Sequence, residues 1–267
     1  MAYLPLSTAL KESIILINIR SITLFSLLLP LSGFANAASE SDISSENTAQ
    51  VLSLQITEPN QRYTYDVFYK GLSIGQMKQE YHWTGNQVVV ESDADFSFLL
   101  FSFGGNQQSD IYWSEQQQRF LSSAFFRKSS GFSTVNMTAN FDQSGHNSVI
   151  INNGERTEYS NPEGPIVDFN TITLQISEGL KSGQTDFEFY MQTSDDIAHY
   201  FFELKGKETI KTKFGELEAY RVQQVKKKDR TFIAWFAPQF NHQMVKFAYQ
   251  RKVLDISGGL VDYSTEF

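Results

Sequence analysis

The chain contains no cysteine among its 267 residues. Disulfides, a thiolate nucleophile and a thiolate metal site are thereby excluded. Catalytic signatures are missing too. There is no His-Glu-x-x-His for zinc, and the four histidines (His82, His146, His199 and His242) show no metal-ligand spacing. The one Gly-x-Ser-x-Gly string, Gly71 to Gly75, falls in a turn between two β segments and not at the strand-to-helix elbow that a serine nucleophile needs, and there is no glycine-rich phosphate loop. Positive charge is in deficit, with 22 Lys and Arg against 30 Asp and Glu and a net charge of −8. A chain of that sign is repelled by nucleic acid and by anionic membrane surfaces, so no nucleic-acid partner is expected. Long apolar runs are also scarce. The longest candidate, Ser21 to Phe34, is interrupted by Pro30 and Gly33, and it falls short of the ~20 apolar residues that a spanning helix needs.

What is present begins with an address. Lys11 and Arg20 precede the short apolar run, and Ala35-Asn36-Ala37 ends it as a small-x-small cleavage site. This predicts a signal peptide over 1–37, a mature chain starting at Ala38 and no transmembrane span after cleavage. Lys11 and Arg20 against Glu12 give the first 37 residues a net +1, which leaves −9 for the remainder. No cysteine follows the cleavage site to carry a lipid, so a soluble periplasmic or secreted protein is expected. Residues 38–60 are rich in Ser, Glu, Asn and Thr and read as a flexible leader.

Aromatic residues make up 14% of the chain, with 23 Phe and 12 Tyr, and they favour pleated surfaces. From Arg62 the pattern is β. Tyr63, Tyr65, Val67 and Tyr69 alternate with polar neighbours, and Gly71 and Gly75 frame a turn. Gln87 to Phe103 reads as a long strand or a bent pair, broken by Gly104-Gly105. Further short strands follow at turn-separated intervals, which implies antiparallel pairing. The clearest strand text is Lys205 to Pro238. It holds three strands with turns at Gly215 and at Lys226 to Asp229, and Pro238 ends the third. Between Asn161 and Pro165 the pattern breaks. Asp168 can then cap a helix with Phe169, Ile172, Ile176 and Leu180 on one face and Gly179 at its end. The alternation of Ile172, Leu174 and Ile176 also suits a strand; the helix is the preferred reading.

Several segments together resemble the bacterial domain family of unknown function DUF3108. They are Tyr65 to Gly75, an insert following Pro162 and Pro165, Gly206 to Gly215, Ala219-Tyr-Arg-Val222 and Trp235-Phe-Ala-Pro238. Their order and spacing, over about Gln61 to Tyr263, carry the likeness. Asn241 to Val245 departs from it by lacking a proline before the valine. The resemblance implies one exported, mainly β domain over 61–267. Its expected form is a single antiparallel, strongly curved sheet or open barrel with one short helix. The family offers no established catalytic residues.

Glu91, Asp93 and Asp95 share one strand face and could bind a hard cation or act as acid and base; a solvated strand face explains them more simply. Lys226 to Arg230 is the only basic cluster and reads as a solvated hairpin tip. Phe96 to Phe103 is apolar on both faces of a strand, which means burial or an apolar rim. Trp235 alternates with Phe232, Ala234 and Phe236 and is expected on the concave side. Phe98, Phe101, Phe103 and Trp235 are therefore the candidate ligand-binding residues, with lipid or another apolar molecule as ligand. No catalytic residue, metal or cofactor is expected. The leading functional reading is a non-catalytic binding or envelope-maintenance module, with an envelope protein as a further partner. The alternatives are an envelope glycan or lipid hydrolase using Glu91, Asp93 or Glu203, and a scaffold without a small ligand.

Overall fold

A computed structural model describes residues 58–98, 101–131 and 134–266. The expected signal peptide and cleavage site and most of the expected leader lie outside these residues.

Aromatic and β-branched alternation produces strands wherever a turn permits the chain to reverse. Eight come first: β1 (Asn60–Tyr69), β2 (Leu72–Thr84), β3 (Gln87–Phe98), β4 (Phe101–Ser114), β5 (Arg119–Ser130), β6 (Val135–Phe141), β7 (Asn147–Asn152) and β8 (Glu155–Ser160). A two-residue strand β9 (Ile166–Val167) leads into the helix α1 (Phe169–Lys181). Then follow β10 (Asp186–Gln192), β11 (Ile197–Thr212), β12 (Gly215–Val225), β13 (Thr231–Ala237), β14 (Gln243–Arg251) and β15 (Leu254–Glu266).

All fifteen form one sheet in the order β8-β7-β6-β5-β4-β3-β2-β1-β15-β14-β13-β12-β11-β10-β9. Nearly every neighbour in space is a neighbour in sequence, so short turns do most of the topological work. The exception is β1 against β15, which joins the two halves of the chain, with Tyr63 opposite Tyr263 and Tyr69 opposite Ile256. Pairings are antiparallel except for β9 with β10, which is parallel. The sheet is not closed into a barrel, and β8 and β9 are its edges. The edge β8 carries Glu155, Arg156 and Glu158, all exposed, which discourages pairing with another chain.

Glycine produced the main departures from the sequence expectation. Gly104 and Gly105 do not break a strand; they lie inside β4. A Cβ on Gly104 would sit 2.6 Å from the Ala94 carbonyl oxygen, and one on Gly105 would sit 2.6 Å from that of Lys128. The two glycines thus permit close approach of neighbouring backbones. Gly179 likewise does not end the helix, which continues to Lys181. A Cβ there would sit 2.5 Å from the Phe187 ring. The preferred helical reading is otherwise what the structure has, with Asp168 as its N-cap. Pro238 ends β13 as expected and opens a 3-10 turn.

The helix is buried on almost all sides: Asn170 to Leu174, Ile176, Ser177, Gly179 and Leu180 are inaccessible. It packs against β4, β5, β10 and β14, from both halves of the sheet. Two apolar clusters meet on it. One joins Val67, Ala94 and Phe96 of β1 and β3 to Phe202, Phe236 and Phe247 through Ile172, Ile176 and Leu180. The other joins Tyr65, Tyr81 and Ile111 to Ala219, Trp235 and Val245 through Leu174. A third, around Met137 and Ile150, covers β5 to β7. No helix among the described residues is long and apolar enough to cross a membrane.

Candidate functional site

Between the helix and the two halves of the sheet lies a cavity of about 170 Å³. Its apolar lining comes chiefly from β10 to β14 and the helix: Ile172, Met191, Phe202, Phe232, Met244 and Phe247. The opposite wall is built differently. Antiparallel register places Gln79 of β2 opposite Ser92 of β3, Ser92 opposite Gln107 of β4, and Gln107 opposite Arg127 of β5. Cross-strand partners share a face, so four polar residues form one row. Gln79, Gln107 and Arg127 from this row line the cavity.

The helix N-terminus meets this row. Asp168 caps the helix, accepting from the Asn170 and Thr171 backbone N–H groups at 2.8 and 3.1 Å. Its carboxylate also accepts from Ser109 Oγ (2.9 Å), Ser122 Oγ (2.7 Å) and Thr171 Oγ1 (3.0 Å). Burial pushes this carboxyl upward, and the donors of Ser122, Thr171 and Ser109 pull against that. Five donors saturate the group, so it holds the helix to β4 and β5 and offers nothing to a ligand. Asn170 continues the network by donating to Ser109 Oγ at 2.9 Å.

Arg127 is the opposite case. It is 4% exposed, yet its guanidinium makes no hydrogen bond or ion pair with any described residue. Burial alone acts on its guanidinium and pushes it down to about 10, so it remains charged at neutral pH. Holding a charge out of water without a partner disfavours the folded state. On the same row the Gln79 Oε1 atom is buried without a partner. The second arginine at the cavity, Arg230, is bonded instead, its Nη2 lying 2.9 Å from Asp229.

The sequence-selected residues fall elsewhere. Trp235 belongs to the cluster of Tyr65 and Leu174 and does not line the cavity. Its Nε1 donates to Glu208, and Lys246 lies over its ring at 4.9 Å. The predicted alternation along β13 holds, but the cavity lies on the side of Phe232. Phe103 packs at the rim of the first cluster, 5.5 Å from the Phe96 ring, and is also absent from the lining. Phe98 pairs in register with Phe101 at the β3–β4 turn; their side chains lie outside the described residues.

The carboxylates do not converge. Glu91, Asp93 and Asp95 are exposed and alternate with buried Ser92, Ala94 and Phe96, the solvated face that the pattern suggested. Glu203 bonds Lys205 at the surface. Among the described residues lining the cavity, Asp168 is the one carboxylate. Register does gather Glu80, His82 and Glu91 within 4.8 Å, which linear spacing did not reveal. They are accessible, however, and Arg62 Nε already bonds Glu80 at 2.7 Å. The basic turn between β12 and β13 uses its lysines on aromatic rings: Lys226 lies over Phe201 and Lys227 over Tyr200, at 3.4 and 5.3 Å.

Comparison with known proteins adds fold and family. The chain resembles a crystal structure of a β-barrel-like protein of the domain of unknown function DUF1849 from Brucella abortus. The TM-score is 0.55 at 11% identity, over 78% of this chain and 98% of that one. A "putative lipoprotein" from Parabacteroides distasonis matches at 11% identity over 78% of this chain and 96% of its own, with a TM-score of only 0.26. No curated protein matches the chain. The family model described as "Protein of unknown function (DUF3108)" matches residues 64–255, most of the chain and nearly all of the sheet described above. The chain belongs to the DUF3108 family.

Proposed function

We propose that this chain is an exported, non-catalytic binding protein of the cell envelope. Its sheet acts as a strongly curved, open barrel that folds around the helix and holds a small apolar ligand. The observation that carries this reading is the cavity, with Ile172, Phe202, Phe232 and Phe247 on its apolar side. Concave sites with mostly apolar walls and a few placed polar groups are the usual form of ligand pockets. The fully bonded state of Asp168 leaves this hollow without a free carboxylate for acid–base chemistry, which favours binding over hydrolysis. The small-x-small site at Ala35 to Ala37 supports export.

A tryptophan introduced at the cavity wall tests the reading. Phe232→Trp places an indole beside the hollow, and its emission is expected to shift saturably when octanol is added. The wild type, whose Trp235 lies in the other cluster, is expected to respond much less. Native mass spectrometry of protein taken from the periplasm should also retain a small apolar molecule. No saturable shift in Phe232→Trp and no retained molecule would overturn the proposal.

A further inference from the structure

The polar row on β2 to β5 is not what a purely apolar ligand requires. A hollow for hydrocarbon alone is served by apolar walls on every side, and burying a charge there is costly. Here the inner face of β5 runs from Phe125 to Arg127, so an arginine occupies a position that alternation assigns to the core. Arg127 is 4% exposed, lines the cavity and has no partner among the described residues. The groups that could neutralise it are committed. Asp168 is held by five donors, and Asp229 bonds Arg230 and Arg251 at the β12–β13 turn. A guanidinium presents five donors in a fixed fork, a shape that matches a carboxylate.

We propose that Arg127 receives the head group of a carboxylate ligand whose short hydrocarbon body lies against Ile172, Phe202, Phe232 and Phe247. This rests on the reading of the cavity as a ligand site and adds the chemical class of the ligand. Size narrows the class. A dry hollow of ~150 Å³ admits benzene, and this one measures about 170 Å³. It therefore takes a body of about six to eight carbon atoms, and longer chains fit only by leaving the hollow. The anion supplies the missing counter-charge, and the apolar wall opposite supplies the contacts for the chain. Head and tail are thus held by different strands: the head by β5, the tail by β11, β13, β14 and the helix.

Octanoate and octanol have the same chain length and differ in the head group, so calorimetric titration of the full chain with each separates the two parts of the site. The wild type is expected to bind octanoate about 10- to 100-fold more tightly than octanol, the range of a charge-assisted hydrogen bond. Arg127→Gln should erase that preference while keeping the affinity for octanol, and Arg127→Lys should keep part of it. Equal binding of the two probes by the wild type overturns the inference without need of any variant, as does a preference that survives Arg127→Gln. In both cases binding of octanol leaves the cavity reading standing. If neither probe binds, the cavity reading falls and this inference falls with it.

Discussion

Asp168 and Arg127 line the same cavity and are both withdrawn from solvent, yet five donors bond the first and none of the described residues bonds the second. The difference separates two uses of a buried charge. A saturated group fixes geometry, because removing it strands every donor around it. An unsatisfied group does the reverse: it costs stability in the free protein and repays that cost only when something else arrives. The two walls of the cavity extend the contrast. β10 to β14 bring Met191, Phe202, Phe232 and Met244, while β2 to β5 bring Gln79, Gln107 and Arg127. The first wall is mainly apolar, with Gln192, Gln224 and the bonded Arg230 among its members, and the second sets its polar row beside Met77 and Phe125.

The largest effect should come from breaking the saturated group. Asp168→Ala removes the helix cap and strands the hydroxyls of Ser109, Ser122 and Thr171. A loss of about 4 kcal/mol is expected in urea unfolding. An unfolding midpoint equal to that of the wild type would show that the network is dispensable. Trp235→Ala should follow at ~3 kcal/mol, since the ring is 8% exposed and packed in the second cluster. Because Trp235 does not line the cavity, ligand affinity should be unchanged in whatever fraction folds. A weakened affinity with little loss of stability would return the site to Trp235.

Much of this architecture was legible in the chain. Alternating aromatics from Tyr63 to Tyr69, the turns at Gly71 and Gly215 and the stop at Pro238 mark strands because backbone geometry leaves few alternatives there. One glycine pair was misleading. Gly104-Gly105 was read as a break and lies within β4. A glycine that admits a neighbouring chain looks, in one dimension, like a glycine that ends a strand. β8 was not singled out as a strand because, apart from Tyr159, its residues are polar, as an edge allows. On β13 alternation separated Phe232 from Trp235 correctly, but a strand apolar on both faces does not say which face holds the cavity.

Arg127 was the least legible. It stands next to Lys128 and reads as surface. A signal existed in Met77, Gln79, Tyr81 and Trp83, an apolar face with one polar member, and in Gln107, Ser109, Ile111 and Trp113, where two polar residues lead into an apolar face. Only the strand register shows that Gln79, Ser92, Gln107 and Arg127 fall in one row. Register depends on turn length and bulges, including the shift between Asp110 and Ile111 against β5, and local composition does not encode it.

The smaller predictions sharpen the same contrast. Replacing Lys226, Lys227 and Lys228 together by Ser should change stability by no more than about 1 kcal/mol, because exposed charges and their ring contacts are worth little. A larger fall in melting temperature would make the β12–β13 turn a structural element of the cavity. Arg127→Met replaces an unpaired buried charge by an apolar side chain. Without ligand it should leave stability unchanged or raise it by about 1 kcal/mol, the opposite direction from Asp168→Ala.

The most direct measurement is therefore the urea midpoint of Arg127→Met beside the wild type, each with and without octanoate. Saturation at 100 times the dissociation constant stabilises a binding protein by about 2.7 kcal/mol. The account predicts that rise in the wild type, its loss in Arg127→Met, and an unliganded variant at least as stable as the wild type. An unliganded variant that unfolds earlier, with the octanoate rise intact, would contradict it and make Arg127 a structural residue like Asp168.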